Sequence, residues 1–296
     1  MRFDHVVEGD EMSEEVEEAM GGVLYKRDGS VCTVTLNKPE RLNALDHGPG
    51  SLHRDVIEAV VRANADDNVR CIVVTGAGRA FSAGGHFGGN IPDNPMDWYR
   101  FVRAQDEDSE RLRDLDKPVI GAINGVCYGA AMMMVCNFDF LIAVDTAELG
   151  LIETRFGEPA AEALAFLVGP QWAKFMAITG EMISARKAKE IGLVLDVFDK
   201  DDFATKVYDL ARRISAVPPN AVMIHRRIVN TTMDNMGWKN QKAIGRALNG
   251  ILGAAAKENR SVTGRSFSDI LEEDGWSAFK EARDSPFFPP WLDRIR

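Results

Sequence analysis

Two short stretches of this chain can do chemistry without a reactive side chain. One is FSAGGHF, Phe81–Phe87; the other is YGAAM, Tyr128–Met132. Each sets small residues beside backbone amides, and small residues let a ligand approach the main chain closely. Where such a stretch opens a helix, its first N–H groups lack intrahelical partners and carry partial positive charge. Two such amides aimed at one oxygen make an oxyanion hole, and losing one donor typically costs about 10²–10³ in rate. The nearby GAGRAF (Gly76–Phe81) is not a dinucleotide fingerprint. It lacks the third glycine and the helix that must follow at once.

The elements that must position these stretches alternate between strand and helix. Val23–Arg27 and Val31–Leu36 read as a hairpin turning at Asp28-Gly29. Leu52–Ala63 has helical spacing, and Val69–Gly76 reads as a strand covered on both faces. A glycine-rich loop, Gly76–Gly89, precedes a helix over Trp98–Leu115. Val119–Ile123 is a buried strand, Tyr128–Cys136 a short helix, and Phe138–Val144 a third strand. Helical patterning returns over 161–179 and 185–191, then a strand over 193–197 and a helix over 202–217. This alternation predicts an α/β core over residues 21–217. Pro218-Pro219 opens a helical C-terminal region, 218–296, with helices over 221–232, 238–256 and 266–283. Residues 1–20 form an acidic extension, expected as a solvated tail or a short helix.

Composition excludes several functions. The 296 residues carry a formal net charge of −10, which argues against a nucleic-acid surface. Cys32, Cys71, Cys127 and Cys136 are dispersed, with no CxxC pair and no histidine at metal-ligand spacing. They read as buried free thiols in a reducing, cytoplasmic setting. Val119–Cys136 has no charged residue, yet Asn124-Gly125 breaks it as a turn would, so no membrane span is expected.

Three further segments accompany the two amide-bearing ones: LNKPERLNALD (Leu36–Asp46), DKPVIGAINGVCYGAA (Asp116–Ala131) and EDGWSAFKEARDSPFF (Glu273–Phe288). In order and spacing the set resembles the crotonase family, the enoyl-CoA hydratases and isomerases, from about residue 22 to 288. The resemblance implies a spiral of ββα units with a C-terminal helical region that trimerises, giving a homotrimer or hexamer. It implies an acyl-CoA thioester as substrate, coenzyme A being part of it, and no metal or redox cofactor.

Position by position, Gly85 and Ala130 fall where that family's two oxyanion donors lie. The loop at Ser82–Ala83 is expected at the adenine and Arg41 at the CoA phosphates. The family's hydratases use two glutamates. One matches Glu153, the expected acid–base residue; the other position holds Met133, expected against the acyl chain. His86 replaces the family's aspartate in the first oxyanion loop and is a further catalytic candidate. Glu158 and Glu162 follow closely, each a candidate for the acyl group's surroundings or else a surface charge. The reading is a hydratase/isomerase-like enzyme working through an enolate. A lyase or hydrolase cleaving a C–C or thioester bond, and a non-catalytic CoA-binding protein, are the alternatives.

Overall fold

The computed structural model describes residues 16–292 apart from 47, 49, 86–93, 159–163 and 256–257. Strands β1 (Val16–Met20), β2 (Val23–Asp28) and β3 (Val31–Leu36) form an antiparallel meander. Val16–Met20 is therefore neither tail nor helix. Its residues alternate between half-buried and exposed and pair with Val23–Arg27. Alternation is what a half-covered strand requires. Helix α1 (Leu52–Ala65) follows, with Ser51 Oγ accepting from the Arg54 amide at 3.3 Å as its N-cap and Leu52, Val56, Ile57, Val60 and Ala63 buried.

From there the path repeats. Strand β4 (Cys71–Gly76) joins β3 in parallel, β5 (Ala80–Ser82) leaves for a second sheet, and α2 (Pro95–Glu110) follows. Strand β6 (Val119–Ile123) joins β4, β7 (Val126–Tyr128) lies parallel to β5, and α3 (Ala130–Val135) follows. Strand β8 (Phe140–Val144) joins β6 and β9 (Glu148–Gly150) joins β7. Each turn thus gives one strand to each sheet, which is the spiral of ββα units. Every residue of β6 is buried, as befits a parallel strand covered on both faces.

After β9 come α4 (Leu164–Thr179), bent at Gly169-Pro170, β10 (Ile183–Ser184), α5 (Ala185–Glu190), β11 (Asp196–Phe198) and α6 (Lys200–Ser215). The seven-stranded sheet runs β1-β2-β3-β4-β6-β8-β11 and the four-stranded one β10-β9-β7-β5. The uncharged run Val119–Cys136 is divided into β6, a turn, β7 and α3. Among the described residues no helix is long and apolar enough to cross a membrane.

Helices α7 (Pro219–Asn235), α8 (Trp238–Ala254) and α9 (Phe267–Asp284) complete the chain. Buried Arg226 ties α7 to Asp139 at 2.7 and 2.9 Å. Asp106 ties α2 to α8 through Lys242 at 3.2 Å and Arg246 at 3.0 Å. Helix α9 packs Phe279 edge-on against Phe156, centroids 5.5 Å apart, and Asp284 pairs with Arg155 at 3.1 Å.

Candidate active site

The small sheet assembles the site at the ends of three parallel strands. Pairing of β5 with β7 (Ala80↔Val126, Ser82↔Cys127) carries the two amide-bearing stretches to one place. Gly84 shows how closely they meet: a Cβ there would lie 2.6 Å from the Tyr128 carbonyl oxygen and 3.5 Å from the Ala130 nitrogen. Gly85 follows at once, and a Cβ on it would touch the Ala130 methyl at 4.0 Å. Gly85 and Ala130 are therefore neighbours, and Ala130 is the first residue of α3.

Pairing of β9 with β7 places the carboxylate. Cys127↔Leu149 and Tyr128↔Gly150 are in register, and the Gly129 amide donates to Gly150 O at 2.9 Å. The Tyr128 hydroxyl donates to Glu148 Oε2 at 2.7 Å and braces the same pair of strands. The chain then enters a 3₁₀ helix, Ile152–Phe156, that bears Glu153. The Ala130 amide donates to Glu153 Oε1 at 3.0 Å. Gly129 sits between them at φ +51°, and a Cβ on it would fall 1.4 Å from Oε1. Only glycine fits there, for conformation and for space alike.

Glu153 is 8% exposed, and among the described residues its buried Oε2 has no hydrogen-bond partner. Burial pushes its carboxyl up to about 7; the backbone donors and the charge of Arg283 work against that rise. Glu158 stands near it. Gly157, in left-handed backbone at φ +88°, turns the chain so that the Glu158 amide donates to Glu153 O at 3.0 Å. Burial, then the charge of Glu153, pushes the Glu158 carboxyl up to about 8.

The other expected residues fall in different places. Met133 is half-buried one turn into α3, its amide bonded to Gly129 O at 3.0 Å and its side chain packed against the main core. Ser82 is fully buried, and its hydroxyl accepts from the Gly84 amide at 3.2 Å, so the side chain faces inward. Ala83 is half-buried and its amide donates to Leu42 O at 2.9 Å. Arg41 is exposed at the end of a 3₁₀ turn, Pro39–Arg41. That loop is stitched to the Gly84 loop by Leu45 N to Gly84 O at 2.7 Å and by buried Asn43, which donates to Ala77 O and Ala80 O. His86 and Glu162 lie outside the described residues. All four cysteines are buried and free. A partly open, mainly apolar cavity of about 460 Å³ lies at the other end of α3, between Asn137, Phe140, Leu167, Val222 and Met233, with neither Ala130 nor Glu153 on its wall.

The family model for "Enoyl-CoA hydratase/isomerase" matches residues 26–288. The chain belongs to the enoyl-CoA hydratase/isomerase, or crotonase, family. It is an enzyme of that family. A putative enoyl-CoA hydratase of Mycobacterium tuberculosis is 30% identical over 240 residues, 71% of this chain and 73% of that protein. The 1,2-epoxyphenylacetyl-CoA isomerase of Escherichia coli is 32% identical, over 72% of this chain and 83% of that one. The crystal structure of an enoyl-CoA hydratase/isomerase from Xanthobacter autotrophicus Py2 superposes with a TM-score of 0.83 at 30% identity, covering 91% of this chain and 99% of that one. The crotonase fold expected from the segment order is the fold observed.

The sequence marks Tyr128–Met132 as a backbone-donor stretch but not the separate tasks of its first two residues: Tyr128 braces β7 to β9 through Glu148, and Gly129 leaves room for Glu153.

Proposed function

We propose that the protein transfers protons on an acyl-CoA thioester through an enolate held by the amides of Gly85 and Ala130. One observation carries the reading: the buried Glu153 carboxylate lies 3.0 Å from the Ala130 amide, its second oxygen unpartnered among the described residues. A carboxylate oxygen on that amide stands in for the thioester oxygen, which would displace it. The α-carbon is bonded to the carbon bearing that oxygen, so a carboxylate within reach of the amide is beside the α-carbon. Glu153 then takes or gives the α-proton. A carboxyl raised to about 7 is matched to that task near neutral pH.

Met133 supports an apolar acyl pocket, since a thioether adapts to irregular shapes. Arg41, exposed beside the Gly84 loop, is assigned to the CoA phosphates. Ser82 contributes through its backbone turn, not its hydroxyl. The chemistry uses no metal or redox cofactor. Assembly as a homotrimer, or a pair of trimers, is supported by an apolar stripe on α8: Ile244, Leu248 and Ile251 are 62%, 59% and 65% exposed at helical spacing.

The test is Glu153→Gln. Enzyme-dependent α-proton exchange of butyryl-CoA in heavy water should be lost, while binding of the thioester persists by calorimetry. Exchange at the parent rate removes Glu153 from the mechanism.

A further inference from the structure

Glu153 is the second residue of a five-residue 3₁₀ helix that Gly157 closes in left-handed backbone. So short an element has little stability of its own. The three residues after Glu153 hold it, through α4 and α9. Thr154 Oγ1 donates to Ala177 O in α4 at 2.7 Å. Phe156 is buried among Phe267, Ile270 and Phe279 of α9, and Asn259 donates to the Phe156 and Gly157 carbonyls at 3.3 Å each. Between them, the Arg155 side chain is 1% exposed. Its guanidinium pairs with Asp284 at the end of α9 at 3.1 Å and lies 4.2 Å from the Phe287 ring centroid. Arg283 fixes Asp284 in turn, donating to its two oxygens at 2.9 and 2.7 Å. Taking a guanidinium out of water is costly, and replacing a buried ion pair by apolar side chains often leaves stability intact. What Arg155 adds over apolar packing is a fixed orientation. Positions two apart lie about 120° apart around a 3₁₀ axis. Fastening Arg155 on one flank therefore stops the rotation that would swing Glu153 off the Ala130 amide.

We propose that Arg155, gripped by Asp284 at the C-terminal end of α9, is a positioning residue for Glu153: the ion pair sets the rotation of the 3₁₀ helix and so the seat of the Glu153 carboxyl. This rests on the reading of Glu153 given above. Docking of α9 and alignment of the acid–base group are then one event. The backbone donors Gly85 and Ala130 belong to the strand ends of the small sheet and do not depend on that docking. Weakening the Arg155–Asp284 pair therefore separates the two halves of the site. The thioester is still held, and the proton is no longer transferred.

The test is the α-proton exchange of butyryl-CoA in heavy water, read as kcat and KM beside the urea-unfolding midpoint of each variant. Arg155→Met should lower kcat by about 10²-fold with KM nearly unchanged and the protein folded. Arg155→Lys should recover part of that loss. Asp284→Asn, at a side chain 36% exposed, should lower kcat in the same direction and keeps the test open where Arg155→Met does not fold. The double variant should lose little more than Arg155→Met alone, since both changes break one pair. Parent kcat in both single variants overturns the proposal while leaving Glu153 in place. So does a loss confined to KM, a loss that follows the folded fraction, or fully additive losses in the double variant. An active Glu153→Gln, or a parent inert in exchange, overturns the underlying reading and the proposal with it.

Discussion

Helix α3 separates two carboxyls, buried Glu153 and half-buried Asp139, that the protein treats in opposite ways. Asp139, just past its C-terminal end, receives Arg226 on both oxygens and the Val119 amide at 2.8 Å. Arg226 spends its remaining donors on the carbonyls of Leu112, Arg113 and Leu115. Burial raises the Asp139 carboxyl, and the Arg226 charge pulls against it. Glu153, at the N-terminal end, has the Ala130 amide on one oxygen and, among the described residues, no partner on the other. A carboxyl satisfied on every side anchors α7 to the sheet. A carboxyl with spare acceptor capacity is left able to take one further donor. The difference teaches that burial alone does not fix how a carboxyl is held; the donors around it do.

The contrast yields graded predictions. Glu153→Gln should lower turnover by about 10²–10⁴-fold with the chemical-denaturation midpoint at pH 8 unchanged or raised. Asp139→Asn should reverse that pattern, losing stability and keeping turnover per folded molecule. Arg226→Met should cost about 3–5 kcal/mol in urea unfolding, because it strands Asp139. A smaller loss than about 1 kcal/mol would mean that water already reaches Asp139.

Stability should also depend on pH through the other carboxyls. Glu153 and Glu158 titrate near 7 and 8 in the folded chain against 4.5 as their ordinary value. The folded state therefore binds more protons than the unfolded one between those limits. The stability they confer is complete below about 4.5 and falls as pH rises to about 8. For Glu153 this amounts to something on the order of 3 kcal/mol. Arg283 on α9 opposes the shift, and buried Cys127 on β7 holds its proton well past this range. Replacing both glutamates by glutamine should flatten the slope of unfolding free energy between pH 5 and 8; an unaltered slope would place its origin elsewhere. The smallest effect is expected from Met133→Leu, a volume-conserving change costing less than about 1.5 kcal/mol of stability.

Long elements were legible in the sequence. The pattern predicts β6 with its observed bounds, Val119–Ile123, and α1 and α6 differ from expectation only at the ends. The four-stranded sheet was not legible. Strands β5, β7, β9 and β10 have three residues or fewer, too short for alternation to show, and β5 lies within a glycine-rich loop. The apolar spacing therefore extends the expected helix back over Tyr128 and Gly129, although α3 starts at Ala130. Of the site, the position of Glu153 followed from motif order. Its bond to the Ala130 amide did not, because it depends on the register between β7 and β9. The pairing of Asp139 with Arg226 spans 87 residues and leaves no local mark.

Gly129 has a consequence for how such a chain can diverge. Every side chain there would enter the space that Glu153 occupies, so the position is closed to substitution whatever the reaction. Met133 and Glu158 are under no comparable steric constraint. Mutation can rewrite them while the backbone donors stay fixed. The fold thus fixes the frame around Gly129 and leaves the neighbouring side chains open to change.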